Sequence, residues 1–142
     1  MGEGQVGGGQ IPQPIDYDDD YPGGSIISTA EDMTHFMLAH LGDGCYQGAR
    51  ILKATTLAEM HRRQAETPYE GQNVTLEFVE GIQDGQRLLG HSGVIRGFGN
   101  SLDLLPEHNA GYFFSFNAEC LETSACQIVS EFREQLLERF LR

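Results

Sequence analysis

Three consecutive residues near the middle of the chain, His91, Ser92 and Gly93, have the side-chain types of a reaction centre. An imidazole donates or takes a proton near neutral pH, and a hydroxyl donates or accepts a hydrogen bond. A glycine lets a ligand lie against the backbone without a side chain in the way. Taken alone, the triplet reads first as a turn between two strands, with His91 facing solvent. His91 and Ser92 are too adjacent to act as base and nucleophile for one another. The chain has no Gly-x-Ser-x-Gly elbow and no His-Glu-x-x-His, which excludes an elbow-type hydrolase and a zincin peptidase. His35, His40, His61 and His108 show no metal-ligand spacing and are expected to be surface or core histidines, so no metal and no cofactor is expected. Cys45, Cys120 and Cys126 lack the CxxC spacing of a zinc site and read as buried or half-buried thiols. An acidic cluster, Asp16, Asp18, Asp19 and Asp20, fails as a calcium loop. Counting from Asp18, Pro22 falls on a ligand position and Thr29 stands where a bidentate Glu is required.

The 142 residues carry 9 basic and 21 acidic side chains, a formal net charge of −12. Such a chain is repelled by a phosphate backbone unless its basic residues cluster, and here they are scattered, so no nucleic-acid partner is expected. No apolar run reaches the roughly 20 residues of a membrane span, and localisation is left open. The length suits one compact domain, with 18 glycines and an apolar fraction of 39%. Residues 1–24, rich in glycine, proline and aspartate, read as a flexible arm, and residues 25–142 as the folded part.

Within that part, Ser28 and Glu31 form a capping box that opens a helix whose apolar face is Met33, Phe36, Met37 and Leu41, stopped by Gly42 and Gly44. A second helix is expected over 56–64, with Leu57 and Met60 inward. From Asn73 the period shortens: Val74, Leu76 and Phe78 alternate with Thr75, Glu77 and Val79, which predicts a strand. Asp84-Gly85 is a strong hairpin signal, with a return strand through Leu88 and Leu89. Strands over 101–105 and 112–116 follow, joined by a turn from Pro106 to Gly111. A closing helix over 124–141 presents Ile128, Val129, Phe132, Leu136 and Phe140 to the sheet. The fold class is α+β: helices, an antiparallel meander, and a helix packed on it.

Three stretches, in order, carry a resemblance. Residues 22–41, then Ile51-Leu52 with residues 57–64, then residues 89–93 with Gly97-Phe98 and residues 104–109, closely resemble segments of the serine β-lactamase-related family. That family includes class C β-lactamases, D-Ala-D-Ala carboxypeptidases and family VIII esterases. The resemblance implies that His91-Ser92-Gly93 is the family's third motif, on the strand edging the active site. By that match His91 supplies a proton-donating group, Ser92 binds the substrate carboxylate, and Gly93 leaves room for the acyl group. The Val94 amide would be an oxyanion-hole donor, a role typically worth about 10²–10³ in rate.

The family's nucleophile is a Ser with a Lys one helical turn later. This sequence has one lysine, Lys53, preceded three residues earlier by Arg50, so no Ser-x-x-Lys can be written. No tyrosine has Asn two residues on, and Ser115-Phe116-Asn117 follows the third motif, which is the wrong order. Residues 66–73 are also polar where the family has a Gly- and aromatic-rich strand start. The expectation is therefore a C-terminal portion of a serine hydrolase acting on a β-lactam, D-Ala peptide or small ester, inert alone. Its small-molecule or peptide substrate would be bound only together with an N-terminal part. A binding or self-associating module, a homo-oligomer through exposed sheet surface, is the alternative. A structural domain of an unrelated family would make the three ordered stretches coincidence.

Overall fold

The computed structural model describes residues 23–68, 72–95, 97–117 and 124–140, with side chains in the last stretch from 131 to 139. The arm, its acidic cluster, Cys120 and Cys126 thus lie outside the described residues, apart from the arm's last two positions. Cys45 is a free thiol.

Helix α1 spans Ala30–Leu41. Its cap is Thr29, not Ser28: the Thr29 Oγ1 accepts the Asp32 amide at 3.1 Å and donates to the Asp32 carboxylate at 2.9 Å. The box has moved one residue because Asp32 at N3 is as good a reciprocal partner as Glu31 one residue before it. Met37 is buried, with Met33 and Leu41 packed beside it, as the periodicity predicts, whereas Phe36, expected on the same face, is 38% exposed. A two-residue ladder, β1 (Cys45–Tyr46) and β2 (Ala49–Arg50), follows. Helix α2, Ala54–His61, begins two residues before the expected start, ends three before the expected end, and buries Leu57.

The sheet strands are β3 (Ala65–Glu66), β4 (Gln72–Val74), β5 (Val79–Gln83), β6 (Gln86–Ile95), β7 (Phe98–Leu105) and β8 (Ala110–Phe116). Their spatial order is their chain order, and every neighbouring pair is antiparallel. The polar stretch that departs from the family pattern supplies β3 and β4. The strand expected from Asn73 is two strands. Val74 and Val79 pair across a turn in which the Thr75 hydroxyl accepts the amides of Glu77 and Phe78, at 3.3 and 2.8 Å. A side chain that satisfies local amides competes with the ladder, and here it wins. Asp84 and Gly85 both take positive φ, the requirement of a two-residue hairpin.

Helix α3, Ser124–Phe140, closes the fold. One face of the sheet packs on α1 through Phe78, Leu89, Leu102 and Leu104. The other packs on α3 through Leu88, Leu105 and Tyr112 against Leu137, which is 1% exposed. Full burial of such a leucine is worth about 1.5–3 kcal/mol. Leu137 is the deepest of the helix's described side chains, whereas Phe132, expected to face inward, is half exposed and meets Phe114 edge-on. Of the other expected inward residues, Leu136 packs at the margin, while the side chains of Ile128, Val129 and Phe140 lie outside the described set.

Candidate active-site edge

His91, Ser92 and Gly93 lie inside the ten-residue strand β6, not in a turn. Their placement follows from two hairpins. Gln83 and Gln86 close the Asp84-Gly85 loop, and Ile95 pairs with Phe98 at the strand's other end. Hydrogen-bonded and non-hydrogen-bonded pairs alternate along an antiparallel ladder, and the residues closing a two-residue loop form a hydrogen-bonded pair. Gln86, Leu88 and Gly90 therefore direct their backbone groups to β5, while Leu89, His91, Gly93 and Ile95 direct theirs to β7.

Strand β5 ends at Val79, opposite Gly90, while β7 continues to Phe98, opposite Ile95. Beyond Gly90 the β5 side of β6 has no partner strand among the described residues. Ser92 and Val94 are next in the alternation, so their amides face this open edge. All four residues of the segment are exposed.

Side chains in a strand alternate between faces. His91 sits opposite Leu102, on the α1 face with Leu89 and Leu104. Ser92 sits opposite Ser101, on the α3 face with Leu88. The imidazole and the hydroxyl of the triplet therefore point to opposite sides, and what they share is the strand edge.

On the α3 face a cleft of about 210 Å³ opens beside Gly90, and Ser92, Ser101, Asp103 and Arg133 line it, with His91 at the rim. Its floor is a polar clamp. Tyr112 donates its hydroxyl to Asp103, and Arg133 reaches the Tyr112 oxygen at 2.9 Å and Asp103 at 3.0 Å. Burial raises the Asp103 carboxyl, opposed by Tyr112 and Arg133. Burial and then Asp103 raise the Tyr112 phenol. The phenol thus remains a protonated donor, and α3 is tied to β7 and β8 by its arginine. Sequence reading missed this clamp, since Asp103, Tyr112 and Arg133 form no local motif.

A second polar cluster unites histidines assigned to background roles: His40 and His61 meet at 3.0 Å beside Glu77.

The fold is similar to that of the octameric penicillin-binding protein homologue from Pyrococcus abyssi, with a TM-score of 0.56 and 18% identity over 64% of this chain and 20% of that one. At that identity the likeness is one of fold, and this chain spans about a fifth of that protein's length. A family model described as beta-lactamase matches residues 2–126, and the chain belongs to the β-lactamase family. No curated protein matches the sequence.

Proposed function

We propose that this chain is the C-terminal portion of a β-lactamase-related serine hydrolase and supplies the strand edge against which an acyl substrate lies. The observation that carries the reading is the open edge of β6, with the Ser92 and Val94 amides directed outward beside the cleft. In this role the Val94 amide donates to the developing oxyanion and the Ser92 hydroxyl receives a substrate carboxylate. Arg133 in the same cleft adds a positive charge in an otherwise acidic protein. His91 supplies a proton donor from the opposite face at the rim.

The nucleophile is not among these 142 residues, because their one lysine, Lys53, rules out a Ser-x-x-Lys pair. Turnover requires a segment carrying that pair. The test is a nitrocefin and p-nitrophenyl-ester assay of this chain alone, which should show no burst and no turnover. Saturable acyl-enzyme formation by this chain, abolished by Ser92→Ala, would overturn the assignment.

A second reading, a self-associating module, has its own support in exposed apolar side chains, among them Ile26 at 79%, Leu38 and Phe36 at the α1 end of the molecule. The octameric state of the Pyrococcus abyssi protein is in keeping with it.

A further inference from the structure

Three elements bring one ligand atom each to a single point. His40 lies one residue before the end of α1, and His61 is the last residue of α2. Glu77 sits in the turn between β4 and β5 that the Thr75 hydroxyl shapes. His40 Nδ1 is 3.0 Å from His61 Nε2, Glu77 Oε1 is 3.4 Å from the first, and it is 3.6 Å from the second. These atoms form a nearly equilateral triangle. A tetrahedral zinc ion with bonds of 2.0–2.2 Å spaces its ligand atoms by about 3.3 Å, so the triangle has the size of one face of that polyhedron.

The hydrogen bonding within the cluster is incomplete. The two imidazoles share one short contact, which one ring N–H satisfies. Glu77 Oε1 is shielded from solvent and has no hydrogen-bond partner among the described residues. Its approaches to the ring nitrogens exceed the 2.7–2.9 Å of a charge-assisted hydrogen bond. Leaving a shielded carboxylate oxygen unmatched is costly, and a cation at the centre of the triangle removes that cost.

The surroundings favour ligation over solvation. The Phe36 ring stands 4.3 Å from His40, and Phe78 lies 5.5 Å from His40 and 5.8 Å from His61, centroid to centroid. Burial, reinforced by His61, brings His40 down to a pKa of about 4, and burial followed by Arg87 lowers His61. Both rings are therefore neutral at pH 7, the form in which a lone pair is free for a metal. The frame holding the ligands is itself hydrogen-bonded. Arg87 donates to the His61 carbonyl at 2.5 Å, and the Leu76 amide donates to the Met60 carbonyl at 3.1 Å, fastening the end of α2 to the turn that bears Glu77.

We propose that His40, His61 and Glu77 bind one divalent transition-metal ion, zinc in preference to magnesium or calcium, and that this ion joins α1, α2 and the β4–β5 turn. Two imidazoles and one carboxylate suit borderline ions such as Zn²⁺ and Co²⁺, whereas Mg²⁺ and Ca²⁺ take all-oxygen shells. Three protein ligands leave one position for water or an exogenous ligand. The site is independent of the strand edge and does not rest on the hydrolase reading.

The test is titration of the tag-free, chelator-stripped chain with Zn²⁺, Co²⁺ and Mg²⁺ alone. The expected result is one equivalent of Zn²⁺ bound, a saturable rise in Tm, and intense visible bands of four-coordinate Co²⁺, with no response to Mg²⁺. His61→Ala and Glu77→Gln should each weaken Zn²⁺ binding at least tenfold while circular dichroism shows a folded chain. Absence of saturable Zn²⁺ and Co²⁺ binding overturns the site and identifies the cluster as a proton-sharing triangle. Undiminished affinity in both variants also overturns it, by locating the ion elsewhere, for instance at a cysteine. Should His61→Ala fail to fold, the isosteric Glu77→Gln decides by itself: unchanged affinity refutes the proposal and lost affinity supports it.

Discussion

Gly90 and Gly93 occupy the same strand three residues apart, and their surroundings assign them opposite tasks. A Cβ on Gly90 would stand 2.0 Å from Asp103 Oδ1 and 2.8 Å from the Leu102 carbonyl oxygen. The carboxylate cannot retreat, because Tyr112 and Arg133 hold it. Gly90→Ala should therefore destabilise the fold by about 2 kcal/mol, in the range of overpacked cores, measured by urea unfolding. Nothing lies within 4 Å of a Cβ on Gly93. Gly93→Ala should leave stability unchanged or raise it by up to about 1 kcal/mol, since it narrows the unfolded ensemble. If a complete enzyme containing this segment then acylates more slowly with the same Tm, Gly93 is there for the ligand. A fall in Tm instead would make Gly93 a packing residue. His91-Ser92-Gly93 stands out in the sequence because its three residues are consecutive. That its two polar side chains lie on opposite faces was not, because it depends on β6 continuing unbroken to Ile95.

At the scale of elements, one carboxylate ties the segment after α2 to strands β4 and β6. Glu80, 3% exposed, accepts from Arg63 at 2.6 Å, from Arg87 at 2.5 Å and from Asn73 at 3.2 Å. Burial pulls its pKa up, but the two guanidinium groups pull it further down, and the net value is below the ordinary one. A depressed carboxyl pKa stabilises the fold above the unfolded value, about 4.3, and that contribution is lost as pH falls through the folded value. Glu80→Gln should cost about 2 kcal/mol at neutral pH, and the difference from wild type should shrink as pH drops below about 4. A pH-independent difference would mean that shape, not charge, sets the cost. Most elements were readable in the sequence: the cap near Ser28-Thr29, the Asp84-Gly85 turn, the strands before and after Pro106. The turn at Thr75 was not, because Val74, Leu76 and Phe78 keep the alternation of a strand right through it, although Leu76 is 60% exposed. Only the Thr75 hydroxyl breaks the ladder, and a hydroxyl's partner is a tertiary fact. The same turn carries Glu77, which is why the cluster with His40 and His61 left no motif.

For the whole molecule, charge and apolar surface pull in opposite directions. Exposed Ile26, Ile27, Leu38, Ile51 and Phe98 favour association, while a net charge of −12 opposes it. Added salt screens the repulsion and leaves the apolar term in place. Size-exclusion chromatography with light scattering should therefore report a mass that grows with ionic strength. A strictly monomeric, sharply melting chain at every salt concentration would discard the self-associating module. Among the described residues no helix is long and apolar enough to cross a membrane. The sheet's spatial order, identical to its chain order, bears on how the chain finds its shape. Each strand pairs with the one just made, so the closure entropy of each step is that of a short loop. The long-range step is α1, which precedes the whole sheet and yet packs on its last strand, Met37 lying against Gly111. Assembly of the meander can thus proceed hairpin by hairpin, whereas the return of the first helix to the final strand must close a loop that spans the whole sheet.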